Sequence, residues 1–298
     1  MATVLVAGVA VIDFVFQLDE MPRRAEKYRA KDAEIIGGGG AANAAVTIAR
    51  LGGSAMLATR LGDDAIADMI LSDLAREKVD CALVKRLPGK RSSFSSVFVD
   101  ALGERQIVNF RDMGMSFDAD WLTPMLPSAF DAALADTRWP QGGPVVLKAA
   151  RAAGVPAVVD AEAPIQEAME TIRAGTHIAF SRQGLSDYAG SDNVERGLTL
   201  AAEETGAWVC VTDGEKDVVF LSKGEFGRVP AFPVTPVDTL AAGDVWHGAF
   251  ALRLAEGTAE PEAIRFANAV SAMKCLKLGG RAGVPTRAEA EAFMRERS

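Results

Sequence analysis

The sequence predicts an α/β fold: a doubly wound, mostly parallel sheet with helices on both faces and a small antiparallel β lid. Three observations carry that expectation. Short aliphatic or β-branched runs alternate with longer Ala-rich amphipathic stretches, the pattern of buried parallel strands joined by crossover helices. Residues 14–36 and 91–111 break the alternation, because polar and apolar residues alternate there with no helical stretch between them. Finally, Val237-Asp238-Thr239-Leu240-Ala241-Ala242-Gly243-Asp244 joins an extended run to a helical run through small residues carrying two carboxylates.

In chain order, residues 4–9 form the first strand. The segment Met1-Ala2-Thr3-Val4-Leu5-Val6-Ala7-Gly8 has no basic stretch followed by a long apolar core, so it reads as a strand rather than a signal, with the cytoplasm as the expected location. Gly37-Gly38-Gly39-Gly40 leads into a helix over 41–51, followed by a strand at 55–58 and a helix over 65–78. Within 91–111, Ser95 to Asp100 and Arg105 to Phe110 alternate as strands, with Ala101-Leu102-Gly103-Glu104 as the turn. With 14–36 they make the lid, or else a plain extension of the sheet edge. Strands at 132–135, 156–159, 178–180 and 208–212 then alternate with helices over 143–153 and 193–204. Residues 229–237 are extended by their prolines, and 245–252 are apolar at helical spacing, so Ala242-Gly243-Asp244 opens a helix. No repeat or linker divides the chain, which reads as one domain over 1–298 with the lid as a subdomain.

Composition narrows the function. No apolar run approaches the roughly eighteen residues needed to span a bilayer, so no membrane partner is expected. A net charge of −8 disfavours nucleic acid. Any anionic substrate must therefore meet locally placed Lys or Arg. Cys81, Cys210 and Cys275 are odd in number and widely spaced, which indicates neither a disulfide framework nor a zinc site.

Two segments carry chemistry. A helix beginning at Ala242 points unpaired backbone N–H groups and the positive end of its dipole outward, and small residues let a phosphate approach. Asp244 beside them is placed to take a hydroxyl proton. At the glycine run, Asn43 on the first helical turn reads either as a contact to hydroxyls or as a cap.

These segments, in this order, resemble the ribokinase-like or PfkB family of carbohydrate kinases over essentially the whole chain. The resemblance includes Gly8 with Asp13, the glycine run through Asn43 to Gly52, and Arg60-Leu61-Gly62-Asp63-Asp64. It continues through Val211-Thr212-Asp213-Gly214, Asp238 to Asp244, and Gly279-Gly280-Arg281-Ala282-Gly283-Val284-Pro285. It implies a ribokinase-like fold and transfer of a phosphoryl group from ATP, with Mg2+, to a sugar hydroxyl. Asp244 would be the general base, and the amides of Ala241, Ala242, Gly243 and Asp244 would hold the transferring group. Asp13, Gly38, Gly39 and Asn43 would contact the sugar, Asp13 alternatively capping a turn. Thr212, Gly214 and Gly243 would lie along the nucleotide phosphates and Asn268 near adenine, although Thr212 and Gly214 also suit a plain strand turn. Asp238, Gly280 and Gly283 match positions that frame a monovalent-cation loop, implying K+. Ser181-Arg182-Gln183-Gly184 stands where many members carry Asn-x-x-Glu, so magnesium would rely on phosphate oxygens and water, and no protein ligand is assigned to it.

A narrower resemblance, to the bacterial sulfofructose kinases, rests on Glu26-Lys27-Tyr28, Ile107-Val108-Asn109-Phe110, Leu134 to Trp139, Ser181 to Leu185, Gly243 to Gly248 and Lys274-Cys275 through Gly283. It implies 6-deoxy-6-sulfofructose phosphorylated at its 1-hydroxyl, with Lys27, Asn109 and Arg138 on the sulfonate. Taken alone, Lys27 and Arg138 also read as surface or ion-pair residues. Gly40-Ala41-Ala42-Asn43 departs toward ribokinase. Fructokinase, ribokinase, 2-keto-3-deoxygluconate kinase and nucleoside kinase stay open, as does a non-catalytic sugar or nucleotide sensor. Lid strands with free edges suit a homodimer. His247 lies three residues past Asp244 and reads as packed rather than reacting, and His177 takes no role.

Overall fold

The computed structural model describes residues 1–102 and 104–297. The chain opens with β1 (Thr3–Ala7), β2 (Val11–Gln17), β3 (Asp32–Gly38), α1 (Gly40–Arg50), β4 (Ser54–Gly62), α2 (Ala65–Arg76) and β5 (Val84–Leu87). It continues through β6 (Phe94–Val99), β7 (Arg105–Phe110), β8 (Ala132–Asp136), α3 (Gly142–Ala153), β9 (Ala157–Ala161), α4 (Met169–Ala174) and β10 (His177–Ser181). The last part holds α5 (Arg182–Ala189), α6 (Val194–Thr205), β11 (Trp208–Thr212), β12 (Val218–Ser222), β13 (Glu225–Val229), α7 (Ala242–Ala255), α8 (Glu260–Cys275) and α9 (Arg287–Glu296).

The large sheet runs β13-β12-β11-β10-β9-β8-β1-β4-β5. Every neighbouring pair is parallel except β11–β12 and β12–β13. Side chains alternate across it, as pleating requires. On β1, Val4 and Val6 pack toward α1, α7 and α8, while Leu5 and Ala7 pack toward α3 and α6. Both faces are therefore covered, which is why the strands read as continuous apolar runs.

The small sheet runs β3-β2-β6-β7. Its outer pairs are antiparallel and its central β2–β6 pair is parallel. The expected turn at 101–104 includes Gly103, which lies outside the described residues.

From β1 the chain moves to β4 on one side and returns through β8 on the other. Ligands in such sheets bind outside the carboxyl ends at this switch point. Gly8 and Asp136 are the residues that leave β1 and end β8 there.

Of residues 229–237 only Val229 lies in a strand, because Pro230, Pro233 and Pro236 have no N–H to give a ladder. Among the described residues no helix is long and apolar enough to cross a membrane.

Candidate active site

Asp136 organises the switch point. It is buried, and its carboxylate accepts from the amides of Val9 at 2.9 Å, Ala41 at 3.0 Å and Arg138 at 2.8 Å. Burial raises its pKa, and the three amides oppose the rise. A Cβ on Gly40 would stand 3.2 Å from Asp136 Oδ2 and 3.5 Å from Asp244 Oδ1. Gly40 thus lies between the two carboxylates. Gly39, the N-cap of α1, sits at φ 93°, and a Cβ there would come 2.5 Å from the Val9 carbonyl, so only glycine fits. Gly38 approaches Asp13 as closely, its Cβ position lying 2.3 Å from Asp13 Oδ2.

The start of α7 is strained. Its N-cap, Ala241, holds φ at 63°, a left-handed conformation that costs a non-glycine residue about 1 kcal/mol or more. The Ala242 amide is spent on the Thr239 carbonyl at 3.2 Å, which removes it from the expected anion hole. Helix geometry leaves the amides of Gly243 and Asp244 to face a ligand. Gly243 is exposed, and a Cβ on it would meet nothing within 4 Å, so the space above those amides is open.

Asp244 is held from the side by Asn43, whose Nδ2 donates to its Oδ2 at 2.7 Å. Burial first, and then the nearby Asp160 carboxyl, push the Asp244 pKa up to about 7, against the Asn43 hydrogen bond. A carboxylate titrating there is matched to proton abstraction near neutral pH. Asn43 is itself buried, and its Oδ1 accepts from the Arg281 guanidinium at 3.3 Å. Arg281 in turn pairs with Asp73 on α2. His247 is buried behind this point, with Nδ1 2.8 Å from the Gly243 carbonyl and Nε2 3.2 Å from that of Ala179. Desolvation lowers its pKa despite those carbonyls. It packs the helix start against β10 and faces Asp160 at 3.5 Å.

Two cavities flank the Asp244 region. One of about 250 Å³ is walled by Thr212, Gly214, Gly243 and Asn268 together with Phe232 and Ala272. Both ends of the Asn268 amide are already used, Oδ1 by Trp246 Nε1 at 2.7 Å and Nδ2 on the Pro230 carbonyl at 2.9 Å. Asn268 therefore lines this cavity as a brace and not as a free amide.

The other cavity, of about 310 Å³, is lined by Val9, Asn109 and Arg138 and also by Arg60 and Arg111. Across the lid, Asp13 pairs in register with Ser95, and Ser95 with Asn109, so the three form one polar row. Asn109 Nδ2 donates to Ser95 Oγ at 3.2 Å. Burial lifts the Asp13 pKa, against its hydrogen bond to Ser95 and the charge of Arg281. Arg138 is anchored through one guanidinium nitrogen to the Ala163 carbonyl at 2.7 Å.

Arg60 lies over the rings of Phe117 and Trp139, at 4.9 and 4.8 Å from their centroids. Its Nε is buried with no partner among the described residues. Desolvation, then the charge of Arg111, lowers its pKa to about 10, which leaves it charged at neutral pH. Lys27, by contrast, is exposed on the loop between β2 and β3 and does not line this cavity. Sequence reading gave Arg60 and Arg111 no place in this cavity, although Arg60 opens Arg60-Leu61-Gly62-Asp63-Asp64 and Arg111 directly follows β7.

The expected cation loop is differently filled. Asp238 is buried and accepts from the amides of Leu240 at 2.9 Å and Gly280 at 3.0 Å and from Arg105 at 2.8 Å. Against burial, the amides of Gly280 and Leu240 and the charge of Lys274 hold its pKa down. The Lys274 ammonium donates to the Asp238 carbonyl at 2.7 Å and stands 3.3 Å from its Oδ2. Gly283 packs beside them, its Cβ position 3.0 Å from the Lys274 carbonyl. The carboxylate and main-chain oxygens of Asp238 are thus already matched. Lys274 was missed, yet it follows Phe266 and Val270 at intervals of four on the buried stripe of α8, where an unpaired lysine does not belong. For magnesium, Ser181 caps α5 by accepting from Gly184 N at 2.9 Å. Among the described residues no group of three His, Cys, Asp or Glu side chains is placed to hold a metal.

A family model described as pfkB family carbohydrate kinase matches residues 1–287. Ribokinase of Bacillus subtilis (strain 168) is 26% identical over 297 residues, covering 99% of this chain and 100% of its own length. Fructokinase of Vibrio alginolyticus is 30% identical, covering 86% of this chain and 91% of its own. A crystal structure of a candidate ribokinase from Agrobacterium tumefaciens superposes with a TM-score of 0.91 at 36% identity, covering 99% of this chain and 98% of that one.

Proposed function

Since the chain belongs to the pfkB family of carbohydrate kinases, we propose that it transfers the γ-phosphoryl group of ATP to the 1-hydroxyl of a ketose carrying an anionic tail, with 6-deoxy-6-sulfofructose the best fit. The observation that carries the anionic tail is the cavity beside the Asp244 region, where Arg60, Arg111 and Arg138 converge with Asn109. Guanidinium forks suit a sulfonate or phosphate, and Arg111 stands exposed at this cavity.

In this reading Asp244 takes the hydroxyl proton while the hydroxyl oxygen attacks the γ-phosphorus in line. The new O–P bond forms as the bond to the β–γ bridging oxygen breaks, and ADP leaves. The amides of Gly243 and Asp244 stabilise charge on the transferring group. Asn43 positions the base, and Asp13 with Gly38 and Gly39 shapes the sugar's place. Thr212 and Gly214 border the nucleotide's place, and magnesium carried by the nucleotide would supply further positive charge to the transferring group. The free edges of β3 and β7, with exposed Ile35, Ile107 and Val108, support a homodimer through the lid, which light scattering of the purified protein tests.

A phosphorylation screen with fructose, fructose 6-phosphate, sulfofructose, ribose, 2-keto-3-deoxygluconate and adenosine tests the reading. The expected result is kcat/KM at least about tenfold higher for the sulfonated ketose than for fructose. Preference for fructose or ribose, the substrates of its named relatives, would reject the anionic tail. Nucleotide binding without turnover on any sugar would reject the enzyme in favour of a sensor.

A further inference from the structure

The loop that frames the anion hole contains a buried cation of the protein's own. Asp238 begins the turn that ends at Ala241, and both Val237 N and Asp238 N donate to the Cys275 carbonyl, at 2.7 and 3.1 Å. The end of α8 and the start of the turn are therefore one unit. Lys274, wholly buried, reaches across that unit to the Asp238 carbonyl at 2.7 Å and to its carboxylate at 3.3 Å. From the lid side, Arg105 on β7 takes the other carboxylate oxygen.

A monovalent cation here would need the main-chain and carboxylate oxygens of Asp238, and it would sit beside a buried ammonium. Like charges that close in a dry site repel strongly. The residues present therefore do not fit an exchangeable K+. We propose that Lys274 is a tethered substitute for that ion, a positioning residue that fixes the turn from Asp238 to Ala241 so that the anion hole forms without monovalent salt. Arg105 extends the same charge pairing to the lid.

The idea rests on the kinase reading for its turnover readout alone. Its stability readout stands without it. Wild-type protein is compared in KCl and in choline chloride at equal ionic strength, following the melting temperature and, with a sugar that turns over, kcat. Both are expected to be equal within about 1.5-fold in rate and about 1 °C in melting temperature, the scale of a change well under 1 kcal/mol. A rise of several degrees or several-fold in KCl would overturn the proposal, whether or not the sugar has been identified.

In Lys274→Met the vacated oxygens should accept an ion from solution. The variant is expected to melt lower and turn over at least tenfold more slowly in choline, and to regain both in KCl or NH4Cl, with the gain in kcat and not in the sugar KM. A variant that folds but ignores both ions would show Lys274 to be a packing residue only and reject the substitution. Should the variant fail to fold in either salt, the wild-type comparison alone decides.

Discussion

The start of α7 and the arginine cavity under the lid are built on opposite principles. At the first, each group is held from several sides: Asp244 by Asn43, Asn43 by Arg281, and Asp136 by three amides. At the second, Arg60 has a buried nitrogen without a partner among the described residues, and Arg111 is exposed. The base must be in place before a substrate arrives, since positioning and charge stabilisation supply most of phosphoryl-transfer catalysis. Arg111 instead stands exposed at the cavity, and a donor already satisfied inside the protein cannot discriminate between sugars. Reaction and selectivity are thus separable here, and substitutions should divide them.

The largest effect is expected at the base. Asp244→Asn should lower kcat by about 10³- to 10⁴-fold. Because burial disfavours the ionised carboxylate, the neutral amide should leave the melting temperature near that of wild type, and nucleotide binding measured by calorimetry should persist. Turnover within tenfold of wild type would remove Asp244 from its role. At the other region, Arg111→Ala should raise KM for an anionic ketose by about 10- to 100-fold, the worth of a lost charge-assisted hydrogen bond. Fructose, without the anion, should be converted almost as before. An equal loss on both sugars would show that Arg111 supports the fold and not selectivity.

Legibility in the sequence follows the same division. The junctions at Gly40 and Ala242 are local: small residues between an extended stretch and an apolar helical one can be read within about ten positions. The span of β11, residues 208–212, could be read from its own pattern for the same reason. The β12–β13 hairpin was not recognised, although Lys223-Gly224 joins the strands with both residues at positive φ, 51° and 84°. That is the backbone of a two-residue hairpin turn, but lysine is not among the residues that advertise it. Arg60 and Arg111 come from different sheets and meet only in three dimensions. Lys274 replaces a mobile ion by a side chain, and a family pattern read around Asp238 and Gly280 cannot show that exchange.

The acidity of the base gives the next sharpening. With the Asp244 pKa raised to about 7, its ionised, proton-accepting form predominates above that pH and falls about tenfold for each unit below it. The profile of kcat/KM should therefore rise with a slope of one up to about pH 7 and then level off. Asn43→Ala removes a hydrogen bond that favours the ionised form, so its midpoint should move to higher pH. A flat profile between pH 5.5 and 8 would mean that another group takes the proton. Arg111→Ala should leave the midpoint unmoved, since Arg111 is not among the groups that set the Asp244 pKa.

The smallest effect is expected at Lys27, and it bears on whether the arginine cavity is complete within one chain. The ammonium is exposed on the β2–β3 loop, outside the cavity that Arg60, Arg111 and Arg138 line. An exposed charge outside the contact distance acts through water and salt, so its contribution is a fraction of a kcal/mol. Lys27→Ala should then change KM for the sulfonated ketose by less than about threefold, and less still at high ionic strength. A tenfold rise that survives 0.5 M salt would mean direct contact. The loop would then have to fold over the sugar of its own chain or of a second copy paired through the lid. Measuring KM at protein concentrations on either side of the dimer dissociation constant separates those two, because only a lysine donated by a partner loses its effect on dilution.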